Sequence, residues 1–229
     1  MGGTIRLCYP RNSYSYVDMN IPSYLLSLPD ISQSTTAIES FENLYADQIE
    51  HAAGKLASYD LALPKWQFLN YLAESKEVLF HGSGASDIDE FEPRKSVDAD
   101  EFGDQKAVYA SSDAIWATFF AIVNRPRYVR SLSNTCVRKP VSADVVKSLY
   151  FFSINADAFE HQPWRPGTLY VLPRKSFEPQ ASDPDNGTAQ WRSFEQVRPL
   201  AKLTVSPEDF PFLNDIRGHD TETLIRRAK

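Results

Sequence analysis

A chain of 229 residues, 42% of them hydrophobic, is long enough to bury a sizeable core, and its formal net charge of −6 excludes holding nucleic acid by bulk electrostatics, which rests on neutralising many phosphates. Two cysteines, Cys8 and Cys136, and four scattered histidines exclude a disulfide framework and match no zinc spacing, so free thiols and no metal are expected. No apolar run reaches the ~20 residues of a membrane helix, and the start, MGGTIRLCYPRNSYSYVDMN, has no apolar signal core; the expectation is a cytoplasmic protein with no membrane contact.

In chain order, the first sixty residues read as helical after an irregular start. Thr36 followed by Glu39 is a capping-box pattern, in which a hydroxyl and a carboxylate close the first turn reciprocally. Ile38, Phe41, Leu44, Tyr45, Ile49, Ala52 and Leu56 recur at helical spacing, which predicts one amphipathic helix ending before Asp60. Pro64 suits the first turn of a second helix, KWQFLNYLAES, with Trp66, Leu69 and Leu72 or Ala73 on its apolar face. From Glu77 the texture changes to short runs rich in Val, Leu, Tyr and Phe: EVLFH, KAVYASS, SLYFFSIN, GTLYVLPR and VRPLAKLTV, each predicted as a strand. Between the second and third, Ser112 or Asp113 can cap a helix whose Ile115, Trp116, Phe119, Phe120 and Val123 would bury against the sheet. Helices first and strands after, without βαβ alternation, predict an α+β fold with a helical extension over residues 1–76 and a β-rich domain over 77–229.

Charge is unevenly placed. From Asp87 to Asp104 acids predominate between Gly84 and Gly103, without periodicity, which predicts a mobile cover over a site. The stretch RPRYVRSLSNTCVRKP, Arg125 to Pro140, holds five basic residues and no acid, and reads as a solvated loop, with a basic surface for a phosphate-bearing partner as the alternative. Trp164 reads as packed under a turn set by Pro163, Pro166 and Gly167, and His161 and His219 as structural or surface residues.

The segment VLFHGSGASDIDEF ends a strand on His81-Gly82-Ser83. A nucleophile elbow needs Gly-x-Ser-x-Gly on a strand-to-helix turn, and Gly82-Ser83-Gly84 lacks that spacing. A phosphate-cradling loop of the Gly-x-x-x-x-Gly-Lys type is absent as well. Three pieces together, LFHGS, VYASSDAIWATFFA and FEQV, resemble the signature of the ADP-ribosyltransferase superfamily, in its His-Tyr-Glu branch with diphtheria toxin and the poly(ADP-ribose) polymerases. In that family a His-Gly-Ser/Thr motif ends the first core strand, a tyrosine ends a later strand just before a helix, and a glutamate opens a strand near the end. The resemblance spans roughly residues 77 to 205 and implies a split β-sheet core, NAD as substrate, and transfer of ADP-ribose to a macromolecular acceptor with release of nicotinamide.

The chemistry accounts for these residue types. Cleaving the nicotinamide–ribose bond builds positive charge on the sugar, which a carboxylate stabilises; Glu195 is the candidate, with Gln196 and Gln190 competing for the same position. Backbone at Gly82 can hold a planar carboxamide through its N–H and C=O, with Ser83 assisting. The Tyr109 ring offers a stacking face for the cationic nicotinamide, and the resemblance implies that His81 hydrogen-bonds a ribose hydroxyl. Ser111 and Phe120 complete the cofactor-binding set that it implies. Family analogy adds an intracellular bacterial toxin or effector as the setting, with an antitoxin-type protein partner. Two alternatives stand beside this: an RNA 2'-phosphotransferase, which shares fold and NAD but wants basic residues at a phosphate, and a catalytically inactive relative serving as a binding module.

Overall fold

The computed structural model describes residues 22–29, 34–95, 105–125, 127–140, 146–180 and 187–220. The first helix, α1 (Thr35–Tyr45), starts where Ser34, in extended backbone, accepts a hydrogen bond from the Ala37 N–H through its Oγ at 3.2 Å. Ser34 is therefore the cap, not Thr36, whose carbonyl instead accepts from the Ser40 hydroxyl. The helix widens into a π-helical turn over Ala46–Glu50 and then stops. Ala53 and Gly54 take positive φ of 50° and 80°, and the expected helical continuation to Leu56 does not form. A long-range pairing replaces it: Ala57 donates to the Lys202 carbonyl at 2.8 Å and Lys202 donates to the Lys55 carbonyl at 3.0 Å. Pro64 precedes α2 (Lys65–Ser75), which buries Phe68, Leu69, Tyr71 and Leu72 and leaves Trp66 half-buried.

Strands follow: β1 (Val78–Ser83), β2 (Arg94–Lys95) and β3 (Lys106–Ser111), then α3 (Ala114–Ile122), β4 (Leu132–Pro140), β5 (Val146–Asn155), β6 (Gly167–Pro173), β7 (Glu178–Pro179), β8 (Gly187–Thr188), β9 (Gln190–Ser193), β10 (Ala201–Val205) and β11 (Arg217–His219). Among the described residues they form two sheets. The larger runs β10-β6-β1-β3-β9-β7, with β2 also on β3, and the smaller runs β11-β5-β4-β8. The fold is α+β, with few helices and largely antiparallel sheets. Much of the basic stretch expected as a loop is strand β4, paired with β5 from Leu132↔Ile154 to Pro140↔Val146. With few apolar residues in those nine positions, its strand character comes from its partner and not from local pattern.

Helix α3 lies between the sheets. Its Ala117 and Ala121 pack on β1, and its Phe119 ring meets Phe152 of β5 at 4.7 Å. Asp113 caps it, one carboxylate oxygen accepting from the Trp116 N–H at 2.8 Å and the other from the Tyr150 hydroxyl at 2.7 Å. Alternation along β1 sends Val78 and Phe80 into the main core, while Leu79 joins a smaller cluster with Phe91, Tyr170 and Val197 on the opposite face. Phe41, Ile49, Phe68 and Leu72 belong to the same core as Phe80, Ile115 and Leu203. The helices expected as an extension thus share one interior with the strands. Among the described residues no helix is long and apolar enough to cross a membrane.

Candidate functional site

Strand β1 pairs with β6 along its whole length, including His81↔Tyr170, Gly82↔Leu169 and Ser83↔Thr168. Its register with β3 is Phe80↔Ser111 alone. Beyond that pair a side chain takes over from the ladder: His81 Nδ1 lies 2.7 Å from the Tyr109 carbonyl. A carbonyl only accepts, so Nδ1 carries the proton, and a neutral ring then presents Nε2 as an acceptor. Burial pushes the His81 pKa below its ordinary value, against the hydrogen bond to Tyr109, which raises it. The half-buried ring also packs at 4.7 Å against Phe91, which meets Tyr170 edge-on at 5.0 Å.

The Tyr109 hydroxyl is committed to its own strand, accepting from the Gln105 N–H at 2.9 Å and donating to the Gln105 carbonyl at 3.0 Å. The Tyr109 ring is half-buried. Gly82 has a packing reason of its own: a Cβ there would lie 1.9 Å from the Ala117 carbonyl oxygen and 2.8 Å from the Ala121 nitrogen. The absent side chain lets α3 touch β1. Ser83 Oγ accepts from the Ala85 N–H at 3.1 Å and keeps its own proton to donate. Ser111 is 5% exposed and accepts from the Asp113 N–H at 2.9 Å, which sets the turn into α3. Phe120 is half-buried and meets Trp116 edge-on at 5.9 Å, one helical turn apart on the same face.

The third motif comes out differently from the first two. Glu195 opens no strand: it is exposed, in the bend after β9, with its backbone N–H donating to Ser193 Oγ at 3.2 Å, and β10 begins only at Ala201. The residue that opens β9 is Gln190, half-buried and registered with Ser111, which is itself registered with Phe80. Gln196 is exposed and reaches Glu92 at 3.4 Å. The structure brings His81 and Tyr109 together and aligns Gln190 with the end of β1, while Glu195 stands outside the strand row.

The acidic segment is fastened over its first part. Asp89 pairs with Lys202 at 2.7 Å, Glu90 with Arg198 at 3.0 Å, and Phe91 and Val197 exchange backbone bonds of 2.8 and 2.9 Å. In the expected cover, opposite charges and a backbone bridge join residues 89–91 to the 197–202 segment, and Arg94–Lys95 pair with β3; residues 96–104 lie outside the described residues, as does Cys8. Cys136 is a free, buried thiol whose pKa is raised by burial and by the Asp113 carboxylate. His161 stacks on Tyr128 at 5.0 Å, and His219 bridges the Ser131 and Ser153 hydroxyls at 2.9 Å each.

Sequence reasoning missed Arg165, whose guanidinium lies against Gly84 of the His-Gly-Ser-Gly segment. The available signal was weak: one basic residue between Trp164 and Pro166, with no acid beside it. No protein-family model, curated protein or solved structure matches the chain.

Proposed function

We propose that the chain binds NAD where β1, β3 and α3 meet and transfers its ADP-ribose to a macromolecular acceptor. The observation that carries this reading is the hydrogen bond from His81 Nδ1 to the Tyr109 carbonyl, which joins two motifs 28 residues apart at the point where β1 leaves β3. In this reading the Tyr109 ring stacks on nicotinamide, the Gly82 backbone and the Ser83 hydroxyl hold its carboxamide, and His81 Nε2 accepts from a ribose hydroxyl. Ser111 and Phe120 border the same place. The glycosidic bond breaks with its electron pair leaving on the nicotinamide nitrogen; an acceptor nucleophile bonds to the ribose carbon and loses a proton. Glu195 supplies the negative charge that stabilises the developing cation.

Calorimetry of NAD binding and chromatography of released nicotinamide test this on folded variants. Glu195→Gln keeps size and hydrogen-bonding capacity while removing charge, so it should cost ~10²- to 10³-fold in turnover with NAD affinity retained. His81→Ala and Tyr109→Ala should weaken NAD binding itself, each by roughly tenfold, the scale of one lost contact. Unchanged binding in both would refute the NAD reading, and full turnover in Glu195→Gln would remove Glu195 from the mechanism.

A second reading, an NAD-binding module without turnover, is favoured by Gln190 at the head of β9, since an amide cannot supply a carboxylate's charge. Wild-type protein that binds NAD and releases no nicotinamide would select it, and Gln190→Glu should then confer release.

A further inference from the structure

We propose that Arg165 is an anion-binding residue that holds the diphosphate of the dinucleotide beside Gly84. Its main chain is locked in place: the Arg165 N–H donates to the Ile122 carbonyl at 2.8 Å, Trp164 bridges Val123, and prolines stand at 163 and 166. The side chain runs to the His-Gly-Ser-Gly segment and fills the space a Gly84 side chain would take, with Nη2, Cζ and Nε at 1.6, 2.2 and 2.9 Å from where that Cβ would sit.

What the guanidinium lacks is a counter-charge. Among the described residues no carboxylate pairs with it, and its Nε is buried with no hydrogen-bond partner. The contrast with Lys202 is direct. That ammonium lines a cleft of about 490 Å³ and is already paired with Asp89. A charge taken partly out of water without a partner is costly, and an orphaned buried donor adds to the cost.

A guanidinium presents a planar fork of donors that matches two oxygens of one phosphate or of neighbouring phosphates, which makes a diphosphate the natural occupant. The ligand's identity rests on the NAD reading: from Gly82 to Gly84 the extended chain advances about 7 Å, comparable to the ribose that separates nicotinamide from the diphosphate. The anion site itself stands without that reading.

The probes are inorganic pyrophosphate, ADP and ADP-ribose, with nicotinamide and NAD as controls, titrated calorimetrically at low and moderate salt. Arg165→Gln keeps an amide donor on a shorter side chain while removing the charge; it should weaken all three anions by roughly 10- to 100-fold, flatten their salt dependence and leave nicotinamide binding unchanged. Gly84→Ala is the independent variant, because it leaves Arg165 in the chain. Its Cβ collides only with the movable end of Arg165, so the melting temperature should hardly change while ADP affinity falls. Anion binding that depends on Arg165 in a protein that ignores nicotinamide and NAD would uphold the anion site and remove the NAD reading. Wild-type protein that binds neither pyrophosphate nor ADP, or folded Arg165→Gln and Gly84→Ala that bind them as wild type does, would overturn the proposal.

Discussion

In the proposed NAD reading, His81 works through its protonation state. Burial lowers its folded pKa below the ordinary value of 6.5, so at neutral pH the ring is neutral, with Nδ1–H donated to Tyr109 and Nε2 open to accept. The unfolded chain takes up a proton around 6.5 and the folded chain only at lower pH; between those values the unfolded state binds more protons. The stability tied to neutral His81 is therefore present above 6.5 and is lost as pH falls through the folded pKa. Ligand binding should follow the same direction, because a protonated Nε2 donates where a ribose hydroxyl needs an acceptor. NAD affinity should be flat above neutral pH and fall on acidification, with a weaker dependence in His81→Ala. Equal calorimetric affinities on both sides of the transition would remove His81 from ribose binding.

Helix α3 is the element that organises the candidate site, and it is held by different means at its start and along its length. At its start the Asp113 carboxylate caps the helix and accepts from the Tyr150 hydroxyl, itself buried with its pKa raised. Asp113→Ala removes the cap and orphans that hydroxyl, for a loss of about 2–4 kcal/mol. Asp113→Asn retains an acceptor and should lose less. Further along the helix, contact with β1 depends on Gly82. Gly82→Ala drives a methyl into the backbone of Ala117 and Ala121, so strands and helix must separate, at a cost of about 1–3 kcal/mol. Thermal melts followed by circular dichroism should rank Gly82→Ala well below Gly84→Ala, where only a side-chain tip has to move. Equal melting temperatures would mean that α3 does not bear on Gly82.

At the scale of the whole molecule, the helices and the strands share one interior. Phe41 and Leu69 from the first two helices are fully buried in the cluster that also holds Phe80, Ile115 and Val171. Phe41→Ala should cost about 3–5 kcal/mol and lower a single unfolding transition seen alike by tryptophan fluorescence and far-ultraviolet circular dichroism. Residues 77–229 expressed alone should not unfold cooperatively, because removing the helices exposes the apolar face that they cover. A cooperative transition in that fragment would show that the helices are an addition after all.

Local pattern alone determined the α2 and α3 helices and the strands around His81 and Tyr109, while the buried faces differ in detail: α2 buries Phe68 and Tyr71 and leaves Trp66 half-buried, and Trp116 and Phe120 of α3 are half-buried. It also supplied the residue types of the first two motifs, although His81 and Tyr109 each stand two residues before their strands end at Ser83 and Ser111. Tertiary structure decided the rest. Helix α1 gives way before Leu56 because residues 55–57 gain a backbone partner in Lys202, some 150 positions away. Strand β4 exists because β5 lies beside it. Gln190, not Glu195, heads β9 because pairing with Ser111 sets where that strand begins, and Arg165 meets Gly84 because the turn before β6 folds back over α3. Each of these depends on contacts between distant segments, whose energies are absent from any local window of residues.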